Sequence, residues 1–160
     1  METMNAKEFA GKHGVTARTV ARWVAKGYLP YAVQDEYTKV YKIPEDTPKP
    51  YKGNARVTRI DDLIQEILNA AKLRQAVFPT MFPKMEEETV EQVMEELNIN
   101  CYVCILSSSA GDKFPTITEI GLKFQEALIA NKDRVAAMID DGLTEVAAII
   151  INIAFMGSVL

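Results

Sequence analysis

The chain has 160 residues, of which 48% are hydrophobic and 25% are charged, with a formal net charge of −4. This balance is typical of a folded protein and excludes a predominantly disordered chain. The length allows one ordinary domain or two small ones. Only two cysteines, Cys101 and Cys104, are present, too few for a disulfide scaffold.

Charge is divided unevenly along the chain. Residues 1–58 hold 10 Lys and Arg against 6 Asp and Glu, whereas residues 59–160 hold 8 against 16. Positive charge favours DNA binding because each neutralised phosphate releases counterions. The sequence therefore predicts that contact with nucleic acid is made by the first part of the chain, and not by the acidic remainder.

Residues 6–30 have the spacing of two short helices joined by a tight turn. Ala10 is small enough to let the helices approach, and Gly14, four residues later, supplies the permissive backbone of the turn. Thr16 can accept a hydrogen bond from the first free amides of the second helix, which we expect over residues 17–26. A glycine and the following Leu-Pro then end that helix.

The second helix has two different faces. Arg18, Arg22 and Lys26 are spaced four residues apart and form a basic stripe. The opposite stripe is apolar and contains Ala17, Val20, Trp23 and Val24. We expect Trp23 to be a core residue, so that one face of the helix packs and the other is free to meet DNA.

Two short β-prone runs follow, at residues 31–33 and 39–43, with the polar residues 34–38 between them. This pattern predicts a β-hairpin that forms a wing beside the helices. The sequence Ile-Pro-Glu-Asp at 43–46 closes the wing, because proline is preset for a turn or for a first helical position.

The segment KEFAGKHGVTARTVARWVAKGYLP, followed by KVYKIPED, resembles the winged helix-turn-helix of phage excisionases and MerR-like regulators. The resemblance covers about residues 4–48, and it implies that the second helix enters the DNA major groove while the wing lies along the neighbouring backbone or minor groove. The wing tip departs from the pattern, because Asp35 and Glu36 are acidic. The resemblance and the basic stripe together point to Thr16, Arg18, Thr19, Arg22 and Lys26 in the helix and to Lys39, Tyr41 and Lys42 in the wing.

A change of composition divides the chain after the wing. Residues 47–54 contain two prolines and one glycine, a composition that resists both helix and sheet. We therefore predict a winged helix-turn-helix domain at residues 1–46, a linker at 47–57 and a mainly helical domain at 58–160. No family is recognised for this last part.

Apolar residues at three- and four-residue spacing predict the helices of the C-terminal part. These helices are expected at residues 60–75, 86–97, 116–131, 132–141 and, as an apolar closing segment, 143–157. Residues 101–106 form a continuous β-prone run, which predicts one short strand. The expected fold is mostly α with a small β wing, in which one short strand region interrupts the C-terminal helices.

The closing segment from Val146 to Leu160 is polar only at Asn152 and Ser158. It is shorter than the ~20 residues of a membrane span. We expect it to form a homo-oligomer interface, with an internal core helix and a membrane tail as the two alternatives. Because no basic-then-apolar leader opens the chain, we expect a cytoplasmic protein. The shortness of the closing segment leads us to expect no membrane partner.

Residues that could carry catalysis have no suitable partners in the sequence. The serines at 107–109 lack an accompanying His and Asp arrangement. The cysteines at 101 and 104 could be a redox pair or half of a zinc site. However, a strand would direct them to opposite faces, and no second pair of ligands exists. We therefore expect no enzyme activity, no catalytic residue, no metal and no cofactor.

These patterns favour sequence-specific binding of double-stranded DNA by a dimer or higher oligomer, in the regulation of transcription. A recombination or DNA-partition accessory protein of a mobile element is a close alternative, since it also needs only positioned DNA contacts. An interaction adaptor that binds protein instead of DNA is the alternative of another class. Charge reversal of Arg18 and Arg22 distinguishes the adaptor, whose binding should survive it.

Overall fold

The computed structural model describes residues 2–158, so that Met1 and the last two residues of the predicted closing segment lie outside the described residues. Within residues 2–158 the protein is mostly helical, with seven helices, 52% helix and a small amount of antiparallel sheet. The helices and strands surround two hydrophobic cores, a small one at the N-terminal end and a larger one built by the rest of the chain.

The N-terminal part contains two helices and three short strands. In chain order these are β1 (Thr3–Met4), α1 (Ala6–His13), α2 (Ala17–Ala25), β2 (Val33–Gln34) and β3 (Tyr41–Pro44). The strands form an antiparallel sheet in the order β1-β3-β2. The small core beneath these elements contains Phe9, Ala10, Val20, Leu29 and Ile43.

Local sequence signals account for the bounds of α1 and α2. The side chain of Asn5 accepts a hydrogen bond from the N–H of Glu8 at the start of α1. Thr16 does the same for Thr19 at the start of α2, which satisfies amides that would otherwise lack a partner. Gly14 adopts φ +67° at the turn, a left-handed conformation that glycine reaches without steric cost. The predicted turn is therefore confirmed.

The C-terminal part contains the larger core. Its elements are α3 (Ile60–Leu73), a short 3-10 turn (Pro79–Met81), α4 (Glu87–Ile99), β4 (Val103–Ser107), β5 (Lys113–Ile117), α5 (Glu119–Ala130), α6 (Lys132–Asp140) and α7 (Val146–Ser158). Helix α3 is central, because it contacts α4, α5 and β5. Its Leu63, Ile64 and Ile67 have no exposed surface.

Strand β5 differs from the sequence prediction. Residues 113–117 pair antiparallel with β4, and Val103 lies opposite Ile117. The helix that was predicted from residue 116 instead begins at Glu119, where the side chain of Thr118 accepts from the N–H of Gly121. The prediction was wrong here because a five-residue strand is too short to show a period that competes with the helical spacing that follows it.

Helix α7 lies mostly within the larger core. Its Ile149, Ile150 and Ile153 have no exposed surface, whereas Ile151 and Phe155 are 50% and 67% exposed. The buried face of α7 is what the core-helix alternative predicts. The two exposed side chains could still contact a second copy of the chain, and the homo-oligomer stays a prediction. No helix within residues 2–158 combines the length and apolar character needed to cross a bilayer.

Residues 47–57, predicted as a linker, pack against the larger core. The N–H of Tyr51 donates to the carbonyl of Ala76 at 2.8 Å, and the N–H of Ala76 donates to the carbonyl of Lys49 at 3.0 Å. The buried ring of Tyr51 lies in the core, and its hydroxyl donates to Glu66 of α3. These contacts hold the connection in place rather than leaving it as a free tether.

Two further contacts join the N-terminal part to the rest. The two carboxylate oxygens of Asp46 accept from the amide and the hydroxyl of Ser109, each at 2.7 Å. The ring of Tyr28 stacks on Phe78 with 5.1 Å between centroids. Together with residues 47–57, these contacts give α2 a defined position beside α3.

We expect Gly121→Ala to destabilise the protein, because a Cβ at this position would lie 1.9 Å from the backbone oxygen of Tyr102. Separating α5 from that backbone should cost about 1–3 kcal/mol or more. The matched control is Gly11→Ala in α1, where a Cβ would meet nothing within 4 Å. That change should raise the free energy of unfolding by about 0.5–1 kcal/mol. Urea denaturation measures both changes, and equal effects would contradict the close approach.

Candidate nucleic-acid interface

Arg18, Arg22 and Lys26 lie exposed along α2 and its C-terminal cap. Within residues 2–158, the ion pairs are those of Arg59 with Asp61 and Asp140, so the three cations of α2 have no acidic partner. The guanidinium groups are therefore free to donate to phosphates or to base edges. The Nζ atom of Lys26 lies 5.9 Å from the centre of the Tyr28 ring, within range of a cation–π contact.

The two threonines of the predicted site are placed differently from the arginines. Thr16 is exposed, but its hydroxyl is already used as the cap of α2, at 3.2 Å from the amide and 3.0 Å from the hydroxyl of Thr19. Thr19 is half-buried and lines a cleft between α2 and α3. Thr16 thus sets where α2 begins. Thr19 lies between the basic stripe of α2 and the cleft.

The hairpin of β2 and β3 presents two of its three predicted residues to solvent. Lys39 and Lys42 are exposed, whereas Tyr41 is half-buried and packs against the small core. Because Val20 of α2 and Ile43 of β3 belong to that same core, the helix and the hairpin have a fixed relative position. The hairpin therefore carries two solvent-facing cations next to a packed tyrosine.

Asp35, one of the two acidic residues at the tip of the hairpin, has a structural role. The carboxylate of Asp35 accepts from the amides of Thr38 and Tyr37, each at 2.9 Å. These two hydrogen bonds hold the pKa of Asp35 below its usual value. The charged carboxylate thus closes the loop, and the same charge opposes close approach of the tip to phosphate.

Three lysines outside the predicted site also lie beside α2. Lys49, Lys52 and Lys72 line the cleft between α2 and α3, which has a volume of about 660 Å³ and also contains Trp23. The sequence did not indicate that these lysines lie together, because the first two belong to the predicted linker and the third to the acidic part of the chain. Only the packing of residues 47–57 against α3 brings them together.

His13 lies at the edge of the small core. Its ring is 4.4 Å from that of Phe9 in an edge-on arrangement, and its Nε2 atom is buried without a hydrogen-bond partner in the described part of the chain. Burial, reinforced by the positive charges of Lys12 and Lys49, lowers the pKa of His13 below its ordinary value of 6.5. The imidazole is therefore neutral at pH 7.

Cys101 and Cys104, the candidate metal or redox residues, lie within residues 2–158. No cluster of three or more His, Cys, Asp or Glu side chains is placed to hold a metal within this range. Cys101 and Cys104 are both exposed free thiols. Cys101 adopts φ +61° just before β4, so the two cysteines do not lie on one regular strand as the sequence suggested.

No protein-family model, curated protein or solved structure matches this chain. The basis for a function is therefore the placement of its own residues. The feature that stands out is a helix with exposed arginines on one face and a packed core on the other, followed by a hairpin with two exposed lysines; none of these cations has an acidic partner within residues 2–158.

We expect acidification to destabilise the small core through His13. Because the folded pKa is below 6.5, the unfolded chain takes up the proton more readily. The contribution of neutral His13 is therefore full above about pH 6.5 and is lost as the pH falls from there to the folded pKa, by about 1.4 kcal/mol for each unit between the two values. His13→Gln should remove this part of the pH dependence, which thermal denaturation at about pH 7.5 and 5.5 measures in both proteins.

The same prediction has a direct spectroscopic check. His13 is the one histidine of the chain, so its ring proton can be followed by NMR without assignment of other histidines. A pKa below 6.5 is expected in the folded protein. A pKa at or above 6.5 would show that the imidazole is not desolvated as described.

Proposed function

We propose that the protein binds double-stranded DNA sequence-specifically, with a winged helix-turn-helix in its first 46 residues. The observation that carries the proposal is the exposed stripe of Arg18 and Arg22 on α2, a helix that is anchored by its opposite face. Neither arginine has an acidic partner in the described residues 2–158. A helix presented in this way fits the major groove, where arginine side chains donate to guanine edges and to phosphates.

The hairpin supports the proposal through its charge. Lys39 and Lys42 face solvent and have no acidic partner within residues 2–158. Lysines of this kind contact phosphates, which fix the register of a protein on the duplex without selecting its sequence. In this arrangement α2 contributes specificity and the hairpin contributes affinity. The tip of the hairpin, which contains Asp35, stays away from the DNA phosphates.

Regulation of transcription in the cytoplasm is the use that we propose for such an interface. An accessory role in recombination or DNA partition requires the same contacts and differs in what the bound protein does next. The adaptor alternative, in which the same surface binds protein, predicts that binding survives a change of charge at Arg18 and Arg22. These positions therefore separate the classes experimentally.

We expect Arg18→Ala and Arg22→Ala each to weaken specific binding by about 1–3 kcal/mol if the guanidinium contacts a base edge. The target duplex comes from selection on a random library with the full chain, and fluorescence anisotropy gives the affinity. The control is Arg134→Ala on α6, an exposed arginine of the acidic part, which should leave the affinity unchanged. Undiminished affinity in both α2 variants would remove the proposed orientation of the helix.

Loss of the hairpin lysines should have a different signature. Lys39→Ala and Lys42→Ala are expected to lower affinity for all duplexes alike and to flatten the dependence of log K on log salt by about 1 each. Titrations at several salt concentrations, with selected and scrambled duplexes, measure this. Lys84→Ala, an exposed lysine before α4, is the control. An altered base preference would show instead that the hairpin contacts bases.

A further inference from the structure

We propose that the cleft between α2 and α3 binds a small amphipathic anion, with an aromatic or aliphatic body and a single carboxylate-like head. Its volume of about 660 Å³ falls within the range of pockets that hold small molecules. The cleft exists because residues 47–57 pack against α3 and leave space beneath α2. A site of this kind is separate from the exposed face of α2 that carries Arg18 and Arg22.

The walls of the cleft supply an apolar surface for the body of the ligand. Val15 and Trp23 contribute from the helical hairpin, and Pro50 and Tyr51 from the packed connection. Leu73, at the end of α3, is 60% exposed and also lines the cleft. Burial of apolar ligand surface against these side chains is the main favourable contribution that the walls can make.

The charges around the cleft select the sign of the ligand. Lys49, Lys52 and Lys72 line it, no Asp or Glu does, and none of the three lysines has an acidic partner within residues 2–158. Glu66, the carboxylate that Tyr51 contacts, accepts hydrogen bonds from the Tyr51 hydroxyl and the Asn54 amide, and it does not line the cleft. Three ammonium groups around an apolar wall complement an anionic head on an apolar body.

A ligand in the cleft would also affect DNA binding by α2, an extension that rests on the proposed function. Thr19 and Trp23 line the cleft, and both belong to α2. A ligand in contact with them changes the surroundings of the helix that enters the groove. The ligand and the duplex should therefore influence each other's affinity, equally in both directions.

Trp23, the one tryptophan of the chain, gives the experiment a single fluorescent donor, and the lysine variants below show whether the probe lies in the cleft. The probe is 1-anilinonaphthalene-8-sulfonate, an aromatic body with one anionic head. Its neutral counterpart is N-phenyl-1-naphthylamine, the same body without the sulfonate. Titration into the full chain without DNA should show energy transfer from Trp23 to the anionic probe, and the neutral probe should bind several-fold more weakly.

The lysines provide matched variants. Lys52→Gln and Lys72→Gln should each weaken binding of the anionic probe about 2–5-fold, as expected for exposed charge pairs, and leave binding of the neutral probe unchanged. Lys84→Gln is the control and should change neither. Circular dichroism establishes that each variant is folded. Absence of energy transfer, equal affinity for the two probes, or an unchanged affinity in the Lys52→Gln/Lys72→Gln double variant would overturn the site.

A second titration separates the site from its coupling to DNA. The affinity for the selected duplex is measured with and without a saturating amount of the anionic probe. A changed affinity supports the coupling. If the lysine variants weaken binding of the probe as expected and the affinity for duplex is unchanged by the probe, the ligand site is supported and the coupling is rejected. Failure to bind any duplex would contradict the proposed function and leave the probe result intact.

Discussion

The burial of Tyr51 determines how the two parts of this protein are related. The residue is 4% exposed, and its hydroxyl donates to Glu66, so that burial together with this carboxylate raises the pKa of Tyr51. Backbone hydrogen bonds on either side pair residues 49–51 with Ala76. A segment that would otherwise be a tether therefore holds α2 beside α3. The cleft between α2 and α3 depends on this packing, because residues 49–52 form part of its wall.

The helical hairpin could be predicted from sequence because each of its signals acts within a few residues. Gly14 supplies the left-handed turn and Thr16 the cap of α2, and both operate through local backbone geometry. The exposure of Arg18 and Arg22 follows from the same helical period that buries Val20. For this reason the predicted α2 surface and its observed exposure agree.

Features that depend on contacts between residues far apart in the chain could not be predicted from the sequence. Strand β5 is defined by its pairing with β4, and Gly121 by the approach of α5 to the backbone of Tyr102. Composition indicated a linker at residues 47–57, whereas the burial of Tyr51 and backbone hydrogen bonds with Ala76 hold this segment against the larger core. The grouping of lysines around the cleft could not be predicted either, since Lys52 and Lys72 come to line the same cleft only after folding.

The most direct test of the central claim is to map the DNA-contacting residues on the full chain. Amide resonances of the ¹⁵N-labelled protein are followed by NMR while a duplex obtained by selection is added. Our account predicts that the largest changes occur in α2 around Arg18 and Arg22 and in the hairpin at Lys39 and Lys42, with little change in α4. Changes confined to the acidic C-terminal helices, or no change at low salt, would contradict it.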